Sequence, residues 1–412
     1  MLQTADLLIV LVGGNPLPNV VVADVLLPKD RRATVALVHS GTTGPVAVRI
    51  EEALRARRPT GAQALCFVPK SVDEGDPVSI FSAVTSVLAD QASAGLAVNL
   101  DYTSGTKAMS VHAHRAVAEW AAKHPSRRTY TSYLNARKLT LSQQAAGSGE
   151  GAVSGLPVGG RVRVGLEELL RLHGWRLERP PLGACPLPAL GPALAEAHRS
   201  PEAMAAWQIY KASVDKSVDR FVPWPEDPKL QVVSAAMRDD LRQDGSQLDL
   251  EGNTDHVGLP DGTGIKTLVT GTWLESWVFQ QMQQAGPSDL LHTVVWSLKA
   301  RAERAEVDTT FELDVVAMRG YQLFVCSCGT SEGKTTLKRK LFEVYLRAHQ
   351  LGGDEAAVAL VCPHSEPQKI EHELEFVLPS RGAVRVFGRN QLPTLGTELR
   401  RWIDDRGGVA PA

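Results

Sequence analysis

The chain contains few cysteines, and their placement argues against a zinc site. There are five in 412 residues. Cys326 and Cys328 are separated by one residue, whereas paired zinc ligands are usually separated by two. Cys66, Cys326 and Cys362 lie in apolar, strand-like runs, where a reduced cysteine usually belongs to the core. This usage predicts a reducing, cytoplasmic compartment.

Long apolar runs and an excess of positive charge are also absent. No run approaches the roughly 20 residues that a bilayer-crossing helix needs, so the sequence predicts no membrane partner. The run Leu7–Gly14 has no basic segment before it and is cut short by Asn15–Pro16, which favours a first strand over a signal peptide. The net charge of −2 excludes a global positive field, so any binding of nucleic acid must use a local patch.

Strand and helix signals alternate over the first 145 residues. Strands are expected at Leu7–Val12, Thr34–His39, Ala64–Val68, Gly95–Asn99 and Arg128–Tyr133. Helices are expected at Val46–Arg57, Pro77–Gln91 and Lys107–Lys123. Such alternation predicts a parallel sheet with helices on both faces, and ligands of such sheets bind beyond the carboxyl ends of the strands.

The rest of the chain divides into a connector and a second α/β unit. Gln143–Gly160 is rich in glycine, alanine and serine, which predicts a linker or mobile loop. A mostly helical connector with a poorly defined core is expected up to Gly264, with Lys211 on a solvated face. The second unit is expected to contain the helices and strands Thr267–Gln284, Leu290–Leu298, Thr310–Met318, Tyr321–Ser327, Thr335–Gln350 and Ala356–Cys362.

Three loops of small and polar residues follow strands of the first sheet. They comprise Gly13, Gly14, Asn15 and Pro16; Ser40, Gly41 and Thr42; and Thr103, Ser104, Gly105, Thr106 and Lys107. The third loop opens a helix, whose unpaired N–H groups and dipole attract anions. Glycines allow a close approach of phosphate, and hydroxyls and the lysine can bind it. This favours a phosphate site, and the structural alternative is an ordinary N-cap with chance neighbours.

Two carboxylates stand close together in the second unit. Glu312 and Asp314 are two residues apart on an apolar strand and therefore point to the same face. Burying both costs desolvation and repulsion, which a divalent cation such as Mg²⁺ or Mn²⁺ offsets. Alternatively, one carboxylate faces solvent. The expected hairpin brings the pair beside Glu275 of the preceding helix, an arrangement that favours a metal-dependent nuclease, in which a lysine supports the attacking water.

The segment Gly329–Thr336 offers a competing interpretation as a phosphate loop. A strand precedes it, a helix follows it, and it contains Gly333-Lys334-Thr335. The pattern G-x-x-x-x-G-K-[ST] needs four residues between its glycines, however, and this chain has three. Cys328 occupies the place of the first glycine. A nucleotide triphosphatase is therefore the weaker alternative.

The combination and order of these motifs resemble a known family. The N-terminal third, with Gly13-Gly14-Asn15, Ser40-Gly41-Thr42 and Thr103–Met109, is similar to the CRISPR-associated Rossmann fold (CARF) domain. The C-terminal part, with Trp273-Leu274-Glu275 and Phe311–Val316, resembles the PD-(D/E)xK nuclease domain of CRISPR ancillary nucleases. The resemblance implies a Rossmann-like sensor at 1–145, a connector at 146–264 and a restriction-endonuclease-like α/β domain at 265–412.

The family implies a homodimer of type III CRISPR defence that binds cyclic oligoadenylate, often cyclic tetra-adenylate, and then cleaves DNA or RNA. We expect single-stranded substrates, because no long basic surface for a duplex is evident. By position, the ligand would contact the residues of the three loops and Met109. Glu312 and Asp314 would bind the metal together with the backbone carbonyl of Cys328, and Glu275 would lie nearby.

The chain departs from the family at the position of the catalytic lysine. The third strand of these nucleases usually reads S-C-K, and here it reads Ser327-Cys328-Gly329. Lys334 or Lys338 could reach back into the site, because a lysine side chain is long and flexible. The alternative is a binding-only protein whose degenerate nuclease domain acts as a second-messenger sink or regulator.

Overall fold

The computed structural model describes residues 2–58, 64–91, 96–146, 153–252, 264–286, 290–303, 309–331, 333–375, 378 and 384–406. The strands of the first sheet are β1 (Leu7–Leu11), β2 (Ala33–His39), β3 (Leu65–Ser71), β4 (Val98–Asp101), β5 (Thr129–Asn135), β6 (Thr140–Ala145) and β7 (Ser154–Pro157). The helices among them are α1 (Leu17–Leu26), α2 (Gly44–Ala56), α3 (Pro77–Gln91) and α4 (Lys107–Lys123). Gly95, the expected start of a strand, lies outside the described residues.

The first sheet has the order β3-β2-β1-β4-β5-β6-β7 and is parallel from β3 through β5. Its strands are apolar on both faces because helices cover both. In β1, Leu7 and Ile9 pack towards α3 and α4, while Leu8 and Val10 pack towards α1 and α2. The predicted α/β class with a parallel-rich first sheet is confirmed.

Two features of the first unit differ from the sequence expectation. Helix α1 was not predicted, because its run Val20–Val22 is β-branched and typical of a strand. It is helical because it is buried between the sheet and its neighbours. Of the expected linker Gln143–Gly160, the described residues include the end of β6 and all of β7, which pair antiparallel at the sheet edge, and residues 147–152 lie outside the described residues.

The connector carries α5 (Leu166–Leu172), β8 (Trp175–Leu177), α6 (Leu190–Ala197), α7 (Pro201–Lys216), β9 (Phe221–Pro223), α8 (Gln231–Leu241) and β10 (Gln247–Asp249). The expectation of a poorly defined core was wrong. Trp207 and Trp224 are buried in one cluster with residues of the second sheet, and β8 is the edge strand of that sheet.

The C-terminal elements are α9 (Ile265–Thr267), α10 (Trp273–Ala285), β11 (Thr293–Ala302), β12 (Thr310–Arg319), β13 (Gln322–Cys328), α11 (Lys334–Gly352), β14 (Ala357–Val361), α12 (Pro367–Glu375), β15 (Val384–Phe387) and α13 (Leu395–Arg406). They form a sheet of order β15-β14-β13-β12-β11-β8, antiparallel from β8 to β13 and parallel from β13 to β15. One apolar cluster joins this sheet to the first sheet, so the two units share a core.

The predicted hairpin of β12 and β13 is confirmed, and its turn packs against the connector. Arg319 pairs with Gln322, which leaves Gly320 and Tyr321 in the turn. Gly320 has φ 59°, and its carbonyl oxygen accepts a hydrogen bond from the amide nitrogen of Val164 at 3.0 Å. A Cβ at this position would overlap the carbonyl oxygen of Gly159. The position therefore admits only glycine.

We predict that Gly320→Ala destabilises the chain by about 2 kcal/mol or more, because it adds a left-handed backbone penalty to a steric overlap. Gly160→Ala is the matched control, since a Cβ there would meet no atom within 4 Å. Urea denaturation followed by circular dichroism measures both. Equal unfolding midpoints for the two variants would contradict this account of the turn.

Candidate functional site

The loops that follow β1 and β4 touch each other at the carboxyl edge of the first sheet. A Cβ on Gly13 would lie 2.9 Å from the amide nitrogen of Gly105, and Gly105 itself has φ +83°. Both positions therefore require glycine, the first for space and the second for backbone conformation. The structure thus brings together two of the three loops that the sequence singled out.

Thr106 caps the helix that the third loop opens. Its Oγ1 accepts a hydrogen bond from the amide nitrogen of Met109 at 3.1 Å, so the structural alternative is correct for this hydroxyl. Lys107 is the first residue of α4 and is exposed. The side chain of Met109 is buried under Gly105 in the core and supports the loop from below.

The other loop residues differ in their exposure to solvent. Thr103 Oγ1 accepts from the amide nitrogen of Leu134 at 2.8 Å, and Ser104 is half-buried. After β2, Ser40 is buried with its Oγ 2.9 Å from Thr42 Oγ1, while Thr42 is exposed. The exposed residues of the three loops are Gly14, Gly41, Thr42, Gly105 and Lys107. These positions form the accessible surface of the candidate cradle.

The first loop continues from the sheet edge towards the C-terminal unit. Asn15 Oδ1 accepts from the amide nitrogen of Leu17 at 3.0 Å, and Pro16 is the buried N-cap position of α1. The amide Nδ2 of Asn15 lies against Gly353, just beyond the end of α11. Asn15 is therefore placed between the cradle and the second unit.

A buried chain of hydrogen bonds, not predicted from the sequence, lies beneath the third loop. Gln143 Nε2 donates to Asn99 Oδ1 at 3.0 Å, Asn99 Nδ2 donates to Ser132 Oγ at 2.8 Å, and that hydroxyl donates to Asp101 Oδ2 at 2.8 Å. Asp101 also accepts from the amide nitrogen of Thr103 at 3.1 Å. Burial raises the pKa of Asp101 to about 6, although these hydrogen bonds oppose the shift.

The carboxylate site of the second unit centres on Asp314. Its Oδ2 accepts from the amide nitrogen of Cys328 at 2.7 Å, from Ser327 Oγ at 3.3 Å and from Lys340 Nζ at 2.8 Å. Asp314 is 14% exposed, so these donors replace most of its water. Burial and then the charge of Asp314 raise the pKa of Glu275, on the first turn of α10, with Lys340 opposing the shift.

Glu312 lies at the outer rim of this site. It is 49% exposed, its Oε1 accepts from Ser297 Oγ at 2.7 Å, and Arg179 lies 3.8 Å away. Its charge and that of Asp314 both raise the pKa of Glu275, so the three carboxylates lie close enough to repel one another. The alternative in which one carboxylate of the pair faces solvent therefore applies in part to Glu312.

Lys340 is a candidate site residue that the sequence interpretation missed. It bridges Asp314 and the carbonyl oxygen of Cys328, to which its Nζ donates. Burial is the largest single influence on its pKa and disfavours its charge, but the charge and hydrogen bond of Asp314, together with Cys328 and Glu275, raise the pKa of Lys340 above its usual value. A signal was present in the sequence, because Lys340 lies on the same helix face as the buried residues Leu337 and Leu341.

The two lysines predicted from the sequence lie elsewhere. Lys338 pairs with Glu373 of α12, across the groove between two helices. Lys334 is the first residue of α11. Its charge lowers the pKa of Glu366 and of Glu373, although the hydrogen bond that each carboxylate makes to another lysine lowers the pKa more. Neither is among the partners of Asp314. Glu332, within the competing phosphate-loop segment, lies outside the described residues.

The residues around Asp314 fit a hard divalent cation through oxygen atoms. Glu275 and Asp314 supply carboxylates and Cys328 supplies a carbonyl oxygen, the ligand type that Mg²⁺ and Mn²⁺ prefer. Burial raises the pKa of the Cys328 thiol well above its usual value, so its sulfur stays protonated. In the described residues, no group of three or more His, Cys, Asp or Glu side chains could hold a metal ion. A cation site here would therefore need the backbone carbonyl of Cys328 beside the carboxylates.

The connector reaches the loop that follows the Cys328 strand. Lys211 of α7 donates to Thr330 Oγ1 at 2.9 Å, and Thr330 Oγ1 donates to the carbonyl oxygen of Thr270 at 3.4 Å. The expected solvated position of Lys211 was wrong, because its ammonium has an acceptor in the second unit.

No helix among the described residues has the length and apolar character needed to cross a bilayer.

Two solved structures share the fold over nearly the whole chain. Protein VC1899 from Vibrio cholerae is 16% identical, with a TM-score of 0.69 over 98% of this chain and 99% of that chain. Can2 from Sulfobacillus thermosulfidooxidans, solved in complex with cyclic tetra-adenylate, is 14% identical, with a TM-score of 0.68 over 96% of this chain and 99% of that chain. Their likeness extends through both α/β units and the connector.

A third structure is larger. It is a type III CRISPR defence DNA nuclease activated by cyclic oligoadenylate, 16% identical, with a TM-score of 0.50 over 88% of this chain and 46% of that chain. No protein-family model matches the sequence, and no curated protein sequence does. At these identities the likeness establishes the fold alone, and the expected α/β class agrees with it.

The buried carboxyl of Asp101 generates a pH prediction. Its pKa is about 6 in the folded chain against an ordinary value of 3.8, so folded protein binds the extra proton. The contribution of this proton to the free energy of unfolding is complete below pH 4 and is lost as pH rises through about 6.

We predict that Asp101→Asn abolishes this pH dependence. Between pH 4 and pH 7, the free energy of unfolding of wild type should therefore fall relative to that of Asp101→Asn by up to about 3 kcal/mol.

Urea unfolding of both proteins at several pH values measures this slope, and any constant offset from altered hydrogen bonds does not affect it. The exposed Asp90 of α3 provides the matched control, Asp90→Asn. Parallel pH profiles for wild type and Asp101→Asn would rule out this assignment of the buried proton.

Proposed function

We propose that this chain is a metal-dependent nuclease of type III CRISPR defence that is activated by cyclic oligoadenylate, with cyclic tetra-adenylate as the expected ring. The observation that supports this most is the cluster of Glu275, Asp314 and Lys340 in a chain whose first sheet ends in an exposed small-residue cradle. A full-length structural neighbour was solved with cyclic tetra-adenylate. Another neighbour is a nuclease activated by cyclic oligoadenylate.

The proposed sensor site uses the exposed loop residues at the carboxyl edge of the first sheet. Lys107 would pair with a phosphate of the ring, and the glycines at positions 13, 14 and 105 would allow that phosphate to approach the backbone. The chain of hydrogen bonds that ends on Asp101 and Thr103 would hold the loop in its binding conformation. A ring that exceeds one cradle would be shared by the two subunits of a homodimer.

The proposed catalytic site uses the groups around Asp314. A divalent cation held by Asp314, Glu275 and the carbonyl oxygen of Cys328 would supply the charge that activates water and binds the scissile phosphate. Lys340 carries the positive charge that the family places at the position of Gly329. Its ammonium would stabilise negative charge developing on the phosphate. Glu312, at the rim, would contribute to the cation site from the solvent side.

The position of Lys340 favours an enzyme over the binding-only alternative. A nuclease fold that had only lost its lysine would leave Asp314 and Glu275 without a nearby ammonium. Here an ammonium lies 2.8 Å from Asp314 Oδ2 although the strand lysine is replaced by glycine. The expected substrate is single-stranded DNA or RNA, which needs no long basic surface.

We predict that Lys340→Met lowers activated cleavage by about 100-fold or more, the usual effect of removing one preorganised charge stabiliser. Lys338→Met is the matched control on the same helix, because Lys338 pairs with Glu373. Labelled single strands are incubated with Mn²⁺ and cyclic tetra-adenylate, and products are resolved by electrophoresis. Circular dichroism confirms that each variant folds.

If wild type, Lys340→Met and Asp314→Ala are all silent with every ring tested, the binding-only alternative replaces the nuclease proposal. If Lys338→Met loses activity while Lys340→Met retains it, the catalytic lysine is assigned wrongly. Parallel assays with the tri-, tetra- and hexa-adenylate rings identify the activator.

We also predict that Lys107→Ala weakens binding of cyclic tetra-adenylate by about tenfold, because one charge-assisted contact to phosphate is lost. Lys123→Ala at the opposite end of α4 is the control, since both lysines are exposed on one helix. Isothermal titration calorimetry measures the two affinities. Identical dissociation constants for wild type and Lys107→Ala would refute the proposed cradle.

A further inference from the structure

The C-terminal end of α11 contacts the loop of the proposed cradle directly. Gly353 follows the helix with φ +64°, and a Cβ there would overlap Asn15 Nδ2 and lie 2.8 Å from Glu355 Oε2. Its amide nitrogen also closes the helix by donating to the carbonyl oxygen of His349. Any side chain at position 353 would therefore displace the amide side chain of Asn15 from the end of α11.

A second contact joins the sensor to the same helix end. Arg49 Nε of α2 donates to the carbonyl oxygen of Leu172, the last residue of α5, at 2.8 Å. The ring of the next residue, His173, lies close enough to the backbone of Leu351, in the last turn of α11, for that backbone to affect its pKa. Helix α5 packs against both α2 and α11. The Asn15 loop thus meets the end of α11 directly, and α2 reaches the same end through α5 of the connector.

Lys340 lies in the second turn of the same helix. It is twelve positions before Gly352, which corresponds to about 18 Å along the helix axis. Between them, Leu341, Val344 and Ala348 are buried against the second sheet. A helix packed along one face moves as a unit, so a displacement at Gly353 reaches Lys340.

The junction also contains buried polar atoms whose hydrogen-bonding capacity is not filled. Within the described residues, Glu355 Oε1, Tyr321 Oη and Gln322 Oε1 are buried without a hydrogen-bond partner. Gln322 Nε2 donates to the carbonyl oxygen of Glu355 at 3.1 Å, which places these side chains together.

We propose that α11 couples the two sites: ligand binding at the cradle shifts Asn15 and α2, and the end of α11 follows, so that Lys340 changes its position relative to Asp314 and the Cys328 carbonyl. This inference rests on the proposed function, since it describes how that nuclease site is regulated. The ring must favour one helix position over the other for the coupling to operate. Asn15 and Arg49 are positioning residues in this scheme, because they act on catalysis through α11.

The test compares three variants of the full chain with wild type. Gly353→Ala displaces the amide side chain of Asn15 from the end of α11, and Arg49→Ala removes the contact to Leu172. Arg55→Ala is the matched control on α2, because Arg55 pairs with Glu51 on its own helix. For each protein we would measure cyclic tetra-adenylate affinity by calorimetry, and single-strand cleavage with Mn²⁺ with and without the ring.

We expect the ratio of activated to basal cleavage to fall at least about fivefold in Gly353→Ala and Arg49→Ala. In Arg49→Ala, which leaves the cradle loops unaltered, we expect ring affinity within about twofold of wild type. Arg55→Ala should retain the wild-type ratio. If Gly353→Ala fails to fold, Arg49→Ala alone decides the result. Unchanged ratios in both variants, with an activated wild type, overturn the coupling while leaving the proposed function intact. A wild type that the ring does not activate overturns both.

Discussion

The C-terminal unit depends on the interaction between two buried carboxylates, Asp314 and Glu275, and the positive charge beside them. Without that charge the two carboxylates would repel each other. Asp314 lies on the mostly apolar strand β12, and Glu275 lies in the first turn of α10, which packs over the same sheet. Lys340 offsets part of their repulsion from a third element. The pKa of Glu275 stays raised because burial and Asp314 outweigh Lys340. The proposed divalent cation would supply the positive charge that Lys340 alone does not.

In the first unit, the corresponding constraint is that the loops of small residues at the carboxyl edge of the sheet keep one conformation and remain exposed. Gly13 and Gly105 let two loops touch, while the buried hydrogen bonds through Ser132 and Asp101 tie the second of those loops to the sheet. The shared apolar cluster between the sheets then makes the two units one packed body. Within that body, α11 is the element that meets both the cradle loop and the carboxylate site.

Much of this arrangement could be predicted from the sequence, because local patterns determine it. Alternating apolar strands and amphipathic helices predicted both sheets, and the spacing of Glu312 and Asp314 predicted a carboxylate face. Helix α1 was missed because burial overrides the strand preference of its valines. Lys340 was missed because it lies eleven positions after Gly329, and only the packing of α11 brings it back to the site. The contact of Asn15 with Gly353 depends on packing between distant segments, which no local pattern records.

The requirement for added positive charge at Asp314 is tested most directly by titrating the purified chain with Mn²⁺ in a calorimeter, beside Asp314→Asn. The account predicts saturable binding of Mn²⁺ to wild type and a loss of at least about tenfold in affinity in the variant, because one carboxylate ligand is removed. Equal binding by the two proteins, or no binding by wild type, would contradict it.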